Sequence, residues 1–449
     1  MAKEFNRKPV WGWMLFDFAS QPFHTLLITF IFAPYFTSSV MSDSVEGQSV
    51  WAFTTAATGL AIAVMAPILG ALADSSGPRK PWILLFSVFY VVGAAGLWFA
   101  TPGMDDVTFI LIAFALGLIG VEFAFTFTNA FLPDIVPRKD VGAVSGTGWA
   151  LGYVGGLLVL FFVLLLLAEN DEGKTFIGLP PIGGLDPEMR EGTRSVGPIT
   201  AVWYIIFMIP FFLWVPDAPR KTKVAGAVRK GLVELWQTIR NLPKNSSLTN
   251  FLLASMFYRD ALNAIYAFGG IYAAGVLGWS IVQIGIFGII AAATGAVGAW
   301  VGGRADRTFG PNPVVLTTII ILILVCVIAI GTSRDAVFGM AVDSTSSLPD
   351  IVFYICGAMI GAAGGSLQAA SRTLLVHQGD PERMTEAFGL YALVGKSTAF
   401  LAPLAIGIVT VSTGSQHYGI FIPVIVLFVI GLVLLQFVKT PKLMEGADA

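Results

Sequence analysis

Charge is what this chain has least of. Asp, Glu, Lys and Arg make up 12% of its 449 residues, where soluble domains carry about 25%. A soluble chain of this length would form two or three domains, each needing a polar surface. Twenty-six basic and 28 acidic residues cannot cover those surfaces. A soluble enzyme, a nucleic-acid binder and a disordered protein are therefore excluded. Cysteine and histidine are nearly absent too, at two and three residues. Cys326 and Cys356 sit in apolar runs and read as packed small side chains rather than a disulfide. No Cys/His cluster has metal-ligand spacing, so neither a metal nor a cofactor is expected. The phosphate-binding pattern G-x-x-x-x-G-K-[ST] is missing, which excludes ATP-driven transport by this chain.

What the chain has in quantity is apolar sequence: 56% hydrophobic residues and a mean hydropathy of +0.79. A membrane-spanning helix needs roughly 20 such residues, and twelve runs qualify. They cover 10–36, 50–73, 82–101, 107–131, 142–168, 198–216, 248–276, 280–304, 312–332, 350–374, 384–411 and 418–438. The sixth and seventh are separated by a long basic connector. Its Val228, Leu232, Leu235, Trp236 and Ile239 recur at helical spacing, as in an amphipathic helix lying on a membrane. The expected organisation is a six-span lobe (1–216), a linker (217–247) and a second six-span lobe with a short tail (248–449).

Basic residues set the orientation of such a chain. Twenty lysines and arginines fall on the side of the two termini and the linker. Four, Lys174, Arg190, Arg194 and Arg334, fall on the other. Both termini are thus expected in the cytoplasm. Span 2 ends in GALADSSG, with Gly70, Asp74 and Gly77, followed by Arg79 and Lys80. Span 8 ends in GGRADRTFG, with Gly302, Asp306, Arg307 and Gly310. A glycine four residues before an aspartate at equivalent helix ends, half a chain apart, points to two related lobes that rock about a central site. The glycines allow close helix approach, and the aspartates are expected to cap a neighbouring helix and release it, as gates. An ordinary capped turn is the alternative.

Five ionisable residues lie inside spans: Asp17, Glu122, Arg259, Asp260 and Lys396. Each costs about 3 kcal/mol in hydrocarbon and so marks a cavity by default. Most of them lie on polar stripes at helical spacing. Asp17, Gln21 and His24 share span 1; Glu122, Thr126 and Asn129 share span 4; Arg259, Asn263 and Tyr266 share span 7. Gln368, Ser371 and Arg372 lie near the end of span 10. At 1.5 Å of rise per residue, Lys396 is roughly 18 Å deep and Arg259 roughly 16 Å, with Asp17 and Glu122 at roughly 10 to 14 Å. Acids of one lobe can face cations of the other. Such a cavity suits a zwitterion, its carboxylate on Arg259 and Lys396 and its ammonium on Asp17 or Glu122. The excess acid suggests proton coupling through Glu122 or Asp17, with His24 as a relay; a structural salt bridge is the alternative. Asp260 lies about 100° around the helix from Arg259 and is expected to pair with another helix. His377 and His417 read as solvated loop residues, and Trp11, Trp13, Trp51 and Trp82 as interface anchors.

The 2–3 loop is similar to the signature of the major facilitator superfamily, G-x-x-x-D-x-x-G-x-[RK]-[RK], at Gly70, Asp74, Gly77, Arg79 and Lys80. WGWMLFDFASQPF in span 1, NAFLPDIVPRKDVGAVSGTGWALGYVGG, FYRDALNAIYAFGGIYAAGV and GGSLQAASRTL with FGLYALVGKSTAFLAPL together resemble the vacuole-effluxer family. Members of that family are autophagy-related amino-acid effluxers of fungi and their bacterial relatives. Two cavity positions depart from the family pattern: Ser20-Gln21 stands where Asn-Ser is usual, and Arg259 where Asn is usual. The resemblance implies an all-α polytopic membrane protein of 12 transmembrane helices in the two six-helix lobes of the major facilitator fold. Spans 1, 4, 7 and 10 then line the cavity. It also points to an amino-acid transporter; a monomer in a bacterial plasma membrane, which the compact loops suit, is expected, with a small solute, protons and lipid as its partners. A sugar:cation symporter of the same superfamily, suggested by GPRKPW at 77–82, is the alternative. A non-transporting receptor or scaffold is a third reading, and connectors of about 30 residues argue against it.

Overall fold

The computed structural model describes residues 7–76, 78–136, 141–170, 172–217, 246–343, 345–378 and 384–438. The linker helix expected after residue 217 lies outside the described residues. Within them the chain is a succession of long helices: α1 (Arg7–Pro22), α2 (Ser44–Ser76), α3 (Lys80–Gly96), α4 (Thr108–Asn129), α5 (Val141–Leu166), α6 (Val196–Trp214), α7 (Ser246–Gly275), α8 (Ile281–Phe309), α9 (Pro311–Ile330), α10 (Leu348–Gln378), α11 (Met384–Ser397), α12 (Leu401–Thr413) and α13 (Gln416–Leu435). The first ten carry spans 1 to 10, α11 and α12 share span 11, and α13 is span 12. Among the described residues, eleven spans are long and apolar enough to cross a membrane. The exception, α7, has the length, at 30 residues, but is diluted by Arg259, Asp260 and Asn263.

Two spans are irregular, and proline explains both. Pro22 has no N–H to give to the carbonyl of Phe18 four residues back. That carbonyl instead accepts from the indole Nε1 of Trp203 at 3.0 Å, and the chain continues in wide π turns over Phe23–Phe30. In span 11, Pro403 cannot extend a helix through Ala399. The helix stops at Ser397 and restarts at Leu401.

The described residues gather into two compact units. The first holds spans 1 and 3 to 6, the two ends of α2 (up to Gly47 and from Val64), and Trp279–Gly285 at the start of α8. Within it α1 packs on α5 and α6, and α3 on α4. Gly93 and Gly120 bring α3 and α4 together, for a Cβ at either would strike the backbone opposite. Gly285 sits similarly against the Leu164 side chain. The second unit holds Gln48–Ala63 of α2, the rest of α8 and spans 7 and 9 to 12. Gln48 belongs there because its buried amide donates to Thr410 Oγ1 at 2.8 Å.

Several packing expectations need correction. Trp13 and Trp51 are 2% and 1% exposed, so they are core residues rather than interface anchors. The Trp13 indole donates to the Thr128 carbonyl at 2.8 Å. His377 is on α10 and His417 on α13, neither in a loop; His417 stacks on Tyr418 and bonds the Ala329 carbonyl at 3.2 Å. Cys326 and Cys356 are buried and unpaired, as expected.

Candidate transport site

In the first unit, α1 lays its polar residues along a row of α5 glycines. Residues four apart lie one above another on a helix, so Asp17, Gln21 and Thr25 meet Gly148, Gly152 and Gly156. A Cβ on Gly148 would lie 2.6 Å from Asp17 Oδ2. One on Gly152 would lie 3.4 Å from Asp17 Cβ, and one on Gly156 2.9 Å from Gln21 Cγ. The half-buried Asp17 carboxylate makes no hydrogen bond or ion pair among the described residues, nor do the side chains of Gln21 and Asn129. His24 lies in the π-turn segment, edge-on to Phe23. On α4, Glu122 and Thr126 are half-buried, and the Thr126 hydroxyl donates to the Glu122 backbone carbonyl at 2.8 Å.

In the second unit the charges are built in. The Arg259 guanidinium lies over the Tyr391 ring, 4.0 Å from its centroid, and Nη1 donates to the Tyr391 carbonyl at 2.9 Å. Gly395, one turn on, makes room for it: a Cβ there would lie 2.7 Å from Nη1. Lys396 follows directly on the same helix. Asp260 is buried at 4% exposure, and its Oδ2 accepts the Ala402 N–H at 3.0 Å in the first turn of α12. This is the partner helix expected for it. Tyr266 points at Gly364 on α10, while Asn263 is exposed and Gln368 half-buried, with no side-chain hydrogen bond among the described residues. Ser371 is structural: it accepts from the Tyr258 hydroxyl at 2.9 Å.

The basic-face loops are tied within the first unit. Arg79 Nη1 donates to the Ala130 carbonyl at 2.9 Å and pairs with Asp134 at 2.7 Å. The Asp217 carboxylate caps α3, accepting from the Arg79 and Lys80 N–H groups at 2.9 and 3.2 Å, and Lys80 Nζ reaches the Phe212 carbonyl at 2.8 Å. In the second unit Gly302 lies against Ser366, and Asp306 is buried with Oδ1 lacking a partner among the described residues. Gly77, and the side-chain surroundings of Gly70, Asp74 and Arg307, lie outside the described residues.

Sequence reasoning passed over Gly148, Gly152, Tyr391, Gly395 and the break in span 11. The glycines were visible as an i, i+4, i+8 row, and the break as Pro403. The role of Tyr391 as a bed for a cation had no signal in the sequence.

Two lobes' worth of long apolar helices with glycine-mediated crossings and ionisable residues held inside the spans define a multi-pass membrane transporter of the major facilitator class. The solved structures agree on the fold: a D-xylose–proton symporter aligns with a TM-score of 0.65 at 14% identity, covering 96% of both chains. The nucleoside transporter NupG aligns at 0.64 and 13% identity, covering 97% of this chain and all of that one. The sequence matches the profile described as vacuole effluxer Atg22 like over residues 37–141 and 137–448, and the chain belongs to that family. An uncharacterized MFS-type transporter, YxiO of Bacillus subtilis (strain 168), is 26% identical over 98% of this chain and 96% of its own length. Autophagy-related protein 22 of Cryptococcus neoformans is 25% identical over 64% of this chain, which spans about half (48%) of that longer protein.

Proposed function

We propose that this transporter moves a small zwitterion, an amino acid or close derivative, by alternating access. Arg259 and Lys396 take its carboxylate, Asp17 and Glu122 its ammonium, with Gln21, Thr126, Asn129, Asn263, Tyr266 and Gln368 supplying neutral polar contacts. The observation that carries this reading is Arg259. Its guanidinium is positioned by Tyr391 and Gly395, yet Nε and Nη2 donate no hydrogen bond among the described residues. A positioned guanidinium with a vacant edge suits a carboxylate. A sugar gains nothing comparable from a cation.

Thermal-shift screening of the purified protein against amino acids, short peptides and sugars tests the reading. Amino acids are expected to stabilise the parent, and an Arg259→Ala variant to lose the effect. Stabilisation by sugars alone would sink it in favour of a sugar:cation symporter. Proton coupling is part of the proposal and runs through Asp17, with Glu122 and His24 as the other candidates. Both termini are proposed to lie on the cytoplasmic side of a bacterial plasma membrane, an orientation that the basic bias of the sequence supports. Gly70, Asp74, Gly77, Arg79 and Lys80, with Gly302, Asp306 and Arg307, are the proposed gating loops. A monomer is the proposed working form.

A further inference from the structure

Consecutive residues of α7 hold the two sides of the break in span 11. Asp260 takes the Ala402 N–H at the start of α12. Arg259 takes the Tyr391 carbonyl and ring on α11 and lies over Gly395. Between them run Thr398, Ala399 and Phe400, outside both helices. Pro403 explains why the helix breaks there, and the restart at Leu401 leaves the Ala402 N–H, in the first turn of α12, in need of an acceptor. In the middle of a span that acceptor must come from protein, since hydrocarbon offers none. The two bonds differ in kind. A buried carboxylate at a helix N-terminus is favoured by both the N–H and the helix dipole. The Arg259 contact is a stacked cation whose Nε and Nη2 donate no hydrogen bond among the described residues.

We propose that span 11 is hinged at Thr398–Phe400. Asp260 acts as the positioning residue that pins α12 to α7, and Arg259 docks α11 on α7 in a way that a bound carboxylate strengthens. The second half of this rests on the zwitterion reading above. It follows by linkage. Docked α11 fixes the guanidinium plane and its vacant edge, so a carboxylate binds best to the docked arrangement. Binding must then favour docking by the same factor. Occupancy of the site is thereby felt as the position of one half-helix, the half that also carries Lys396.

Backbone hydrogen exchange of the full chain in lipid nanodiscs tests each half. Without any ligand, Asp260→Ala is expected to speed exchange of the first turn of α12 by about tenfold, the effect of one lost charge-assisted bond. Asp260→Asn, which keeps an oxygen acceptor, restores most of the protection. Gly395→Ala, by displacing the guanidinium, is expected to loosen α11 and leave α12 as in the parent. Equal exchange in Asp260→Ala and parent, or equal loosening of both half-helices by Gly395→Ala, overturns the hinge. Glycine and acetate are then added as the smallest zwitterion and the bare carboxylate, with ethanolamine as the bare ammonium. Glycine and acetate are expected to slow exchange in α11 of the parent and not of Arg259→Ala, whereas ethanolamine leaves α11 unchanged. A probe that stabilises the parent against heat without slowing α11 overturns the linkage alone. If no probe stabilises it, the zwitterion reading and the linkage fall together, and the hinge stands on the ligand-free variants.

Discussion

Asp17 and Arg259 are both ionisable groups well inside a span, and the protein treats them in opposite ways. Arg259 is stacked, hydrogen-bonded and bedded on a glycine. Asp17 lies along bare glycines with no donor and no counter-ion among the described residues. A glycine row can accommodate a carboxylate but cannot neutralise it. An uncompensated charge at this depth costs several kcal/mol, which a proton or an ammonium group removes. The difference teaches a division of labour in the packing: among the described residues the first unit leaves its carboxylate uncompensated, while the second holds its cation against the ring and carbonyl of a neighbouring helix.

The strongest way to break that comparison is to remove the open carboxylate. Asp17→Asn keeps the shape and hydrogen-bonding oxygen but cannot take up and release a proton. Uptake into liposomes driven by an imposed pH gradient is expected to fall by about 10- to 100-fold, the range of a lost charge-assisted interaction. Glu122→Gln is expected to cost less, because Glu122 already has partners within the protein. Equal rates in Asp17→Asn and the parent would end the case for Asp17.

A smaller effect is expected on the engaged side. Tyr391→Ala removes the ring beneath Arg259 but leaves the backbone carbonyl, and a partly buried cation–π contact is worth about 1–2 kcal/mol. The concentration of amino acid giving half-maximal thermal stabilisation should rise about tenfold, and Tyr391→Phe should restore it. A still smaller effect separates two neighbouring glycines. A Cβ on Gly148 would crowd Asp17 Oδ2 at 2.6 Å, whereas one on Gly152 meets an ordinary contact at 3.4 Å. Gly148→Ala should therefore weaken pH-driven uptake a few-fold and Gly152→Ala should leave it near the parent. If both alanines behave alike, the glycine row is not what positions Asp17.

How much of this was legible beforehand follows from what each feature depends on. Hydropathy marks helices by the solvent around them, so the spans were readable to within a few residues. Polar stripes were readable for the same reason, since a polar residue in lipid needs a protected face. The π turns after Pro22 were not, because they depend on Trp203, some 180 residues away, taking the orphaned Phe18 carbonyl. Span 11 read as one continuous helix, although Pro403 carried the sign of a restart. What the sequence could not supply was the acceptor for Ala402, which comes from another helix. Asp260, set off the Arg259 stripe, was readable as a residue that pairs with another helix, and only tertiary packing shows that the partner is the N–H of a helix start.

The smallest expected effect uses a second carboxylate of the first unit, one that lies beyond the end of α5 and has what Asp17 lacks. Glu169 is fully buried, at 0% exposure; its Oε2 accepts the Thr193 N–H at 3.1 Å, and Arg190 lies close by, donating to the Glu169 backbone carbonyl. Burial nonetheless pushes its carboxyl above the ordinary range, desolvation outweighing the Arg190 charge and the Thr193 bond. A carboxyl whose folded value is raised binds its proton more tightly in the native state than in the unfolded chain. Its contribution to stability is then complete below the unfolded value, and it is lost as the pH rises through the folded one. Glu169→Gln keeps the acceptor for Thr193 and abolishes the titration. The apparent melting temperature of the parent, relative to this variant, should therefore decline as the pH is raised through the carboxylate range, with uptake unchanged. A flat difference would mean that the Arg190 charge and the Thr193 bond already compensate the buried carboxylate. The contrast with Asp17 would then rest on partners rather than on burial.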